Sequence, residues 1–424
     1  MEKKMKNSGI EWVGDIPEHW ETHPIYYYFG ERKHKNSLGK ENNLLSLSYG
    51  KVIRKDIATT EGLLPENYNG YNIVEKGDIV LRLTDLQNDK RSLRTGLVKE
   101  KGILTSAYVT LRPIKEECSL YFHYLLHAYD IMKVFYNMGN GVRQGLNFDE
   151  LSKCMLIAPP ISEQKAIAEF LDKKCGEVDA LIADIQQEVD ALEQYKRSVI
   201  TEAVTKGLDP SVPMKDSGID WVQTIPKHWS VHPLYYYFEE RKNKNIFAKE
   251  QNLLSLSYGK IIRKDINASG GLLPENFNAY NIVEPKDIVL RLTDLQNDRR
   301  SLRTGYVNER GIITSAYVTL KVKKNIIQEF FYYELHVFDL MKGLYNMGSG
   351  VRQGLNFDEL SKLKLFEPTI KEQMEIVAYI KEKEKKIEEI IADKQSQIET
   401  LESYKKSLIY EYVTGKKEVS HVSL

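Results

Sequence analysis

Between Ile161 and about Lys206 the chain has one glycine and no proline, and Leu171, Val178, Ile185, Leu192 and Val199 recur every seven residues. Leu181, Ile182, Val189 and Tyr195 fill the same stripe. This spacing predicts one long amphipathic helix of heptad character, ended by Gly207 and then Pro210 and Pro213. A second such helix is predicted from about Ile370 to Thr414, with Ile380, Ile387, Ile391, Ile398, Leu401 and Leu408 set among Glu and Lys. A helix of roughly 45 residues spans about 65 Å, more than a small domain can cover, so each needs a partner along its length. The obvious partner is the other helix. The texture before each helix differs. Asp78–Leu83, Ile103–Leu111 and Leu44–Tyr49 are short apolar runs bounded by Gly, Asn or Pro, and read as strands. Tyr121–Met138 reads as a helix.

The whole pattern occurs twice. Ser8–Val13 returns as Ser217–Val222, Asn43–Lys51 as Asn252–Lys260 and Gly141–Leu151 as Gly350–Leu360, always 209 residues later. Solenoid repeats run roughly 20 to 50 residues, so this period means two copies of a domain. The expected fold class is α/β (α+β): a globular domain at 1–158, a spacer helix at 159–206, a second domain at 207–367, a second spacer helix at 368–415 and a tail at 416–424. With the two helices antiparallel as a coiled coil, an approximate two-fold axis relates the copies. Duplex DNA has two-fold axes of its own, and dimeric readers pair with half-sites of opposite orientation. Here one chain would do what a dimer does.

Composition removes several alternatives. With 42% hydrophobic and 28% charged residues the chain is in the ordinary globular range. No apolar run approaches the roughly 20 residues of a membrane span. The start, MEKKMKNSGIEW, has no signal-like apolar stretch, so the expected compartment is the cytoplasm. Cys118, Cys154 and Cys175 cannot pair evenly and lack zinc spacing. Sixty basic residues balance sixty acidic ones, which argues against a strongly basic nucleic-acid binder. The balance is uneven along the chain: residues 1–155 and 208–367 lean basic, while 156–207 and 368–424 lean acidic.

Trp12-Val13-Gly14-Asp15-Ile16-Pro17-Glu18-His19-Trp20, the Gly77–Val80 block, and Pro159-Pro160-Ile161-Ser162-Glu163-Gln164 leading into Ile167–Asp172 resemble the DNA specificity subunit of type I restriction-modification systems. The second half repeats them as Trp221–Trp229, Asp287–Val289 and Glu372-Gln373, with Pro285-Lys286 replacing Lys76-Gly77 and Glu367-Pro368-Thr369 replacing the double proline. The resemblance implies two target recognition domains, each reading one half of a split duplex DNA site, and helices that set the spacing and dock modification subunits, two of them. It implies a noncatalytic chain without cofactor or metal of its own. S-adenosylmethionine, ATP and Mg would belong to the partner modification and restriction subunits. The residues agree with that division: there is no Asn-Pro-Pro-Tyr or Asp-Pro-Pro-Tyr block, no phosphate-binding Gly-x-x-x-x-Gly-Lys-Ser/Thr loop and no His-Glu-x-x-His.

Candidate DNA-contacting residues fall in three places. Arg82–Arg94 (RLTDLQNDKRSLR) offers Arg82, Gln87, Asn88, Lys90, Arg91 and Arg94, repeated as Arg291, Gln296, Asn297, Arg299, Arg300 and Arg303. These side-chain types bond base edges, although a solvated hairpin loop has the same composition. Asn140–Asn147 offers Arg143, Gln144 and Asn147 between three glycines, repeated as Arg352, Gln353 and Asn356; a flexible connection is its other reading. Lys51, Arg54 and Lys55, with Lys260, Arg263 and Lys264, are candidates for phosphate contact or for a solvated face. The clusters Tyr26–Phe29 and Tyr235–Phe238, the four tryptophans, His19 and His228 read as core and structural residues. Because the two copies match almost residue for residue through these segments, the sequence predicts an interrupted palindrome as target. The rival reading is a scaffold whose twin domains bind proteins across a coiled-coil spacer.

Overall fold

Four short strands build the first sheet around the apolar run Ile79–Leu81. Phe29–Glu31, Val109–Pro113, Ile79–Leu81 and Thr95–Leu97 lie side by side in that order, all antiparallel. Ile79, Val80 and Leu81 are all fully buried, as a strand covered on both faces must be. The computed structural model describes residues 4–57, 67–86, 93–115, 118–138, 145–266, 276–295, 301–347 and 354–419. They form two compact units, Met1–Gln186 with Ser396–Leu424, and Gln187–Gln395.

In the first unit, helix Ser119–Ile131 packs on strand Thr95–Leu97 and contributes Tyr121, Phe122, Leu125, Leu126 and Tyr129 to the core. Strand Glu21–Pro24 pairs with Met155–Ala158, the last strand before the long helix Ile161–Lys206. The start of that helix explains the family-like block around it. Glu163 accepts the indole N–H of Trp20 at 3.0 Å and sits 2.7 Å from His19 Nε2. Gln164, buried, donates to Pro159 O and accepts from Cys118 N. The C-terminal part of the second long helix, Ile370–Val413, closes the same core with Leu408, Ile409 and Val413. The Tyr121 hydroxyl donates to Val413 O at 3.1 Å, and Lys416 Nζ donates to Asp15 O.

The second unit repeats this at an offset of 209, down to the register. Val109 faces Leu81 in one sheet, and Val318 faces Leu290 in the other. Its core is closed by Ile200, Ala203 and Val204, from the C-terminal end of the first long helix. Glu372 accepts Trp229 Nε1 and lies 2.7 Å from His228 Nε2.

Within each unit the two long helices run antiparallel. In the first unit Phe170 packs on Tyr412 with ring centroids 4.5 Å apart, and Lys405 donates to Asp179 at 2.5 Å. In the second, Glu188 pairs with Lys394 and Lys196 with Glu388, while Val189 is buried against Ile387 and Ile391. Partner numbers fall as positions rise, which is the antiparallel coiled-coil arrangement expected from the heptads.

Several finer expectations are corrected. Leu181 and Tyr195 lie off the apolar stripe and are 48% and 53% exposed. Helix Tyr121–Met138 is shorter: it runs Ser119–Ile131, because Lys133 takes a left-handed conformation and a 3-10 turn, Val134–Asn137, follows. The run Ile103–Leu111 is two strands, Gly102–Leu104 and Val109–Pro113, separated by a turn in which the Thr105 hydroxyl accepts from Ala107 N. Of the aromatic cluster only Tyr28 and Phe29 are buried. Tyr26 and Tyr27 are exposed, and Tyr27 stacks on His23 beneath Lys115.

Candidate nucleic-acid interface

The interface is organised by an arginine. Arg94 is fully buried, where a guanidinium is stable only with its donors satisfied. Its Nη1 donates to Arg82 O at 3.1 Å and Thr84 O at 2.9 Å, Nη2 to Asp85 O at 3.3 Å, and Nε to the Tyr136 hydroxyl at 3.2 Å. Asp130 holds the Arg94 backbone amide. The first three acceptors lie just before segment 87–92, and Tyr136 lies just before segment 139–144. On the far side of the latter, Leu146 N donates to Leu83 O at 2.9 Å. Both candidate segments therefore begin and end at one hydrogen-bonded cluster at the end of strand Ile79–Leu81.

The second unit builds the same cluster. Arg303, equally buried, donates to Arg291 O, Thr293 O, Asp294 O and the Tyr345 hydroxyl at 3.2, 2.8, 3.1 and 3.3 Å, and Leu355 N donates to Leu292 O at 2.9 Å. Repetition of each bond fixes the same frame beneath each pair of segments.

The sequence-predicted residues separate accordingly. Gln87, Asn88, Lys90, Arg91, Arg143 and Gln144, with Gln296, Asn297, Arg299, Arg300, Arg352 and Gln353, lie outside the described residues. Arg82 and Arg291 are half-buried at the roots of their segments. Arg94 and Arg303, read from the sequence as base contacts, are instead buried and bonded to backbone carbonyls at the roots of both segments. Asn147 and Asn356 are exposed at the N-termini of short helices. Each caps a short helix, accepting Glu150 N at 3.0 Å or Glu359 N at 2.9 Å in a complete capping box.

Lys51 and Arg54 lie on the second strand of a hairpin, Leu45–Ser48 with Lys51–Arg54. Gly96 gives this hairpin its close seat, since a Cβ there would stand 2.5 Å from Leu47 Cδ1. Lys51 bonds Asp179 on the long helix at 2.9 Å, and Arg54 chelates Glu100. Lys260 and Arg263 repeat this with Glu388 and Glu309. All four remain well exposed, and such surface pairs hold their partners weakly. These carboxylate partners lie 46 or 128 residues away in the chain, where no sequence pattern points to them.

Comparison with known proteins fits this geometry. The profile of the type I restriction modification DNA specificity domain matches residues 22–191, and the repeat carries the same pattern into the second half. The putative type I restriction enzyme MjaX specificity subunit of Methanocaldococcus jannaschii is 23% identical over 96% of both chains. This chain is similar to the type I restriction-modification specificity subunits. A second relative, the type I restriction enzyme MjaVIII specificity subunit of the same organism, is 25% identical over 76% of each chain. The fold of this chain matches a chain from a solved structure described as the structural basis underlying complex assembly and conformational transition of the type I R-M system. The TM-score is 0.65 at 12% identity, covering 95% of this chain and 99% of that one. The arginine-anchored clusters are where the two units carry their candidate reading segments.

Proposed function

We propose that this chain reads a duplex DNA target of two identical half-sites in opposite orientation, one per unit, and directs adenine methylation or cleavage by partner subunits. The observation that carries the reading is the duplication of the anchored segments. Residues 82–94 and 291–303 differ only at Lys90 against Arg299, residues 139–147 and 348–356 only at Asn140 against Ser349, and both pairs rest on the same hydrogen bonds. Like reading surfaces select like base sequences.

The chain itself is noncatalytic in this reading and works in the cytoplasm. S-adenosylmethionine, ATP and Mg serve the modification and restriction subunits. Two modification subunits dock on the long helices, where exposed apolar residues recur in register: Leu181 and Tyr404 on the first unit, Tyr195 and Ile390 on the second. Exposed aromatic and aliphatic side chains of this kind are typical interface anchors.

Methylome sequencing of a host carrying the system tests the proposal. An interrupted palindrome is the expected motif, and two unlike half-sites would overturn it. Affinity for duplex DNA is expected to fall steeply with added salt, because phosphate contacts release counterions.

A further inference from the structure

The hairpins beside the anchored clusters carry an unusual residue at their tips. In the first unit the register runs from Leu45 opposite Arg54 to Ser48 opposite Lys51, leaving Tyr49-Gly50 as a two-residue turn. Both turn residues have positive φ, 43° for Tyr49 and 79° for Gly50, the pattern of a type I′ turn. Gly50 meets this demand without strain, and its bare Cα lets the turn press on Leu93, where a Cβ would stand 3.2 Å from Leu93 Cβ. Tyr49 does not, since the first position of such turns favours Asn or Asp and crowds a bulky side chain. The second unit repeats the strain, with φ 46° at Tyr258 and 80° at Gly259, and the same press on Leu302.

The fold does not use these rings. Tyr49 is 79% exposed and Tyr258 75% exposed, and among the described residues neither makes a hydrogen bond or a ring contact. A strained, exposed tyrosine kept in both copies points to a contact outside the chain. Its place indicates the partner. Leu93 and Leu302 lie within two residues of the candidate reading segments 87–92 and 296–300. Residues 45–55 and 254–264 each contain three cations and no anion. Lys51 and Arg54 keep carboxylate partners, so what the tip adds is an uncharged donor.

We propose that Tyr49 and Tyr258 are DNA-contacting residues, each donating its phenolic hydroxyl to a phosphate beside the half-site read by its unit. The inference rests on the DNA-reading function. A phosphate contact fixes position without reading bases, so it strengthens binding to any sequence alike.

The test uses the full-length chain assembled with its modification subunits and two duplexes, one carrying the methylated motif and one of mixed sequence. Tyr49→Phe with Tyr258→Phe is expected to weaken binding to both duplexes by about tenfold, leaving their ratio and the salt slope unchanged. Tyr49→Asn with Tyr258→Asn is expected to lose at least as much affinity while raising the unfolding midpoint, because asparagine suits the turn. Unchanged affinity in either double variant overturns the inference. So does a loss confined to the motif duplex, a fall in both midpoint and affinity for the asparagine variant, or a loss traced to failed assembly with the modification subunits. If the unaltered complex binds neither duplex, the DNA-reading function fails as well.

Discussion

Arg94 shows how a residue type can be right for a function and still serve another. Arginine, Gln and Asn in a turn-rich segment suggested base reading, and composition cannot distinguish a guanidinium aimed at a groove from one aimed inward at carbonyls. Burial decides it. Arg94→Lys leaves one ammonium in place of a five-donor fork, so several of the four acceptors go unpaired. A loss of about 2–4 kcal/mol of stability in the first unit is expected in denaturant titration, together with weaker discrimination between motif and mixed DNA. Glu334 offers a stabilising change. It is fully buried, burial pushes its carboxyl well above the usual range, and its equivalent 209 residues earlier is the buried Leu125. A raised folded-state pKa means stability is lost as pH rises above the unfolded value of about 4.5 towards the folded one. Glu334→Leu removes that loss at the constant cost of an acceptor for Phe366 N, so its advantage should widen with pH. Thermal unfolding at about pH 5 and about pH 8 should show the variant gaining about 1–3 kcal/mol at the higher pH.

At the scale of elements, legibility followed the length of the pattern. The long helices were visible because a heptad stripe is repeated over many turns, and only flank positions such as Leu181 and Tyr195 were misplaced. Strands of three or four residues carry too little periodicity to fix their ends, so Ile103–Leu111 hid a turn. The shared root of the two candidate segments was illegible, because Leu83–Leu146 and Arg94–Tyr136 join residues 63 and 42 apart. Nor does the heptad pattern reveal that the tail of each helix seals a globular core. A chain ended after Ser407 loses Leu408, Ile409 and Val413, together worth about 5–9 kcal/mol of apolar burial. Hydrogen exchange is expected to show the first unit deprotected and the second unit, whose core uses Ile200 and Val204, still protected. Equal protection in both units would contradict this assignment of the cores.

At the scale of the whole molecule, duplication makes each half a check on the other. Residues that match across the offset and keep the same bonds, such as Arg94 with Arg303 or Glu163 with Glu372, are held by the fold. Residues that differ, such as Glu334 and Leu125, are free to be exchanged. The long helix Ile161–Lys206 precedes the second unit and seals its core, while the helix that seals the first unit comes last in the chain. Lys416 bonds Asp15, and the neighbouring Pro17 pairs with Met5, so residues near the two ends of the described chain meet within the first unit. A circular permutant starting at Leu208, with residue 424 joined to Met1, should fold with an unchanged circular dichroism spectrum and recognise the same DNA.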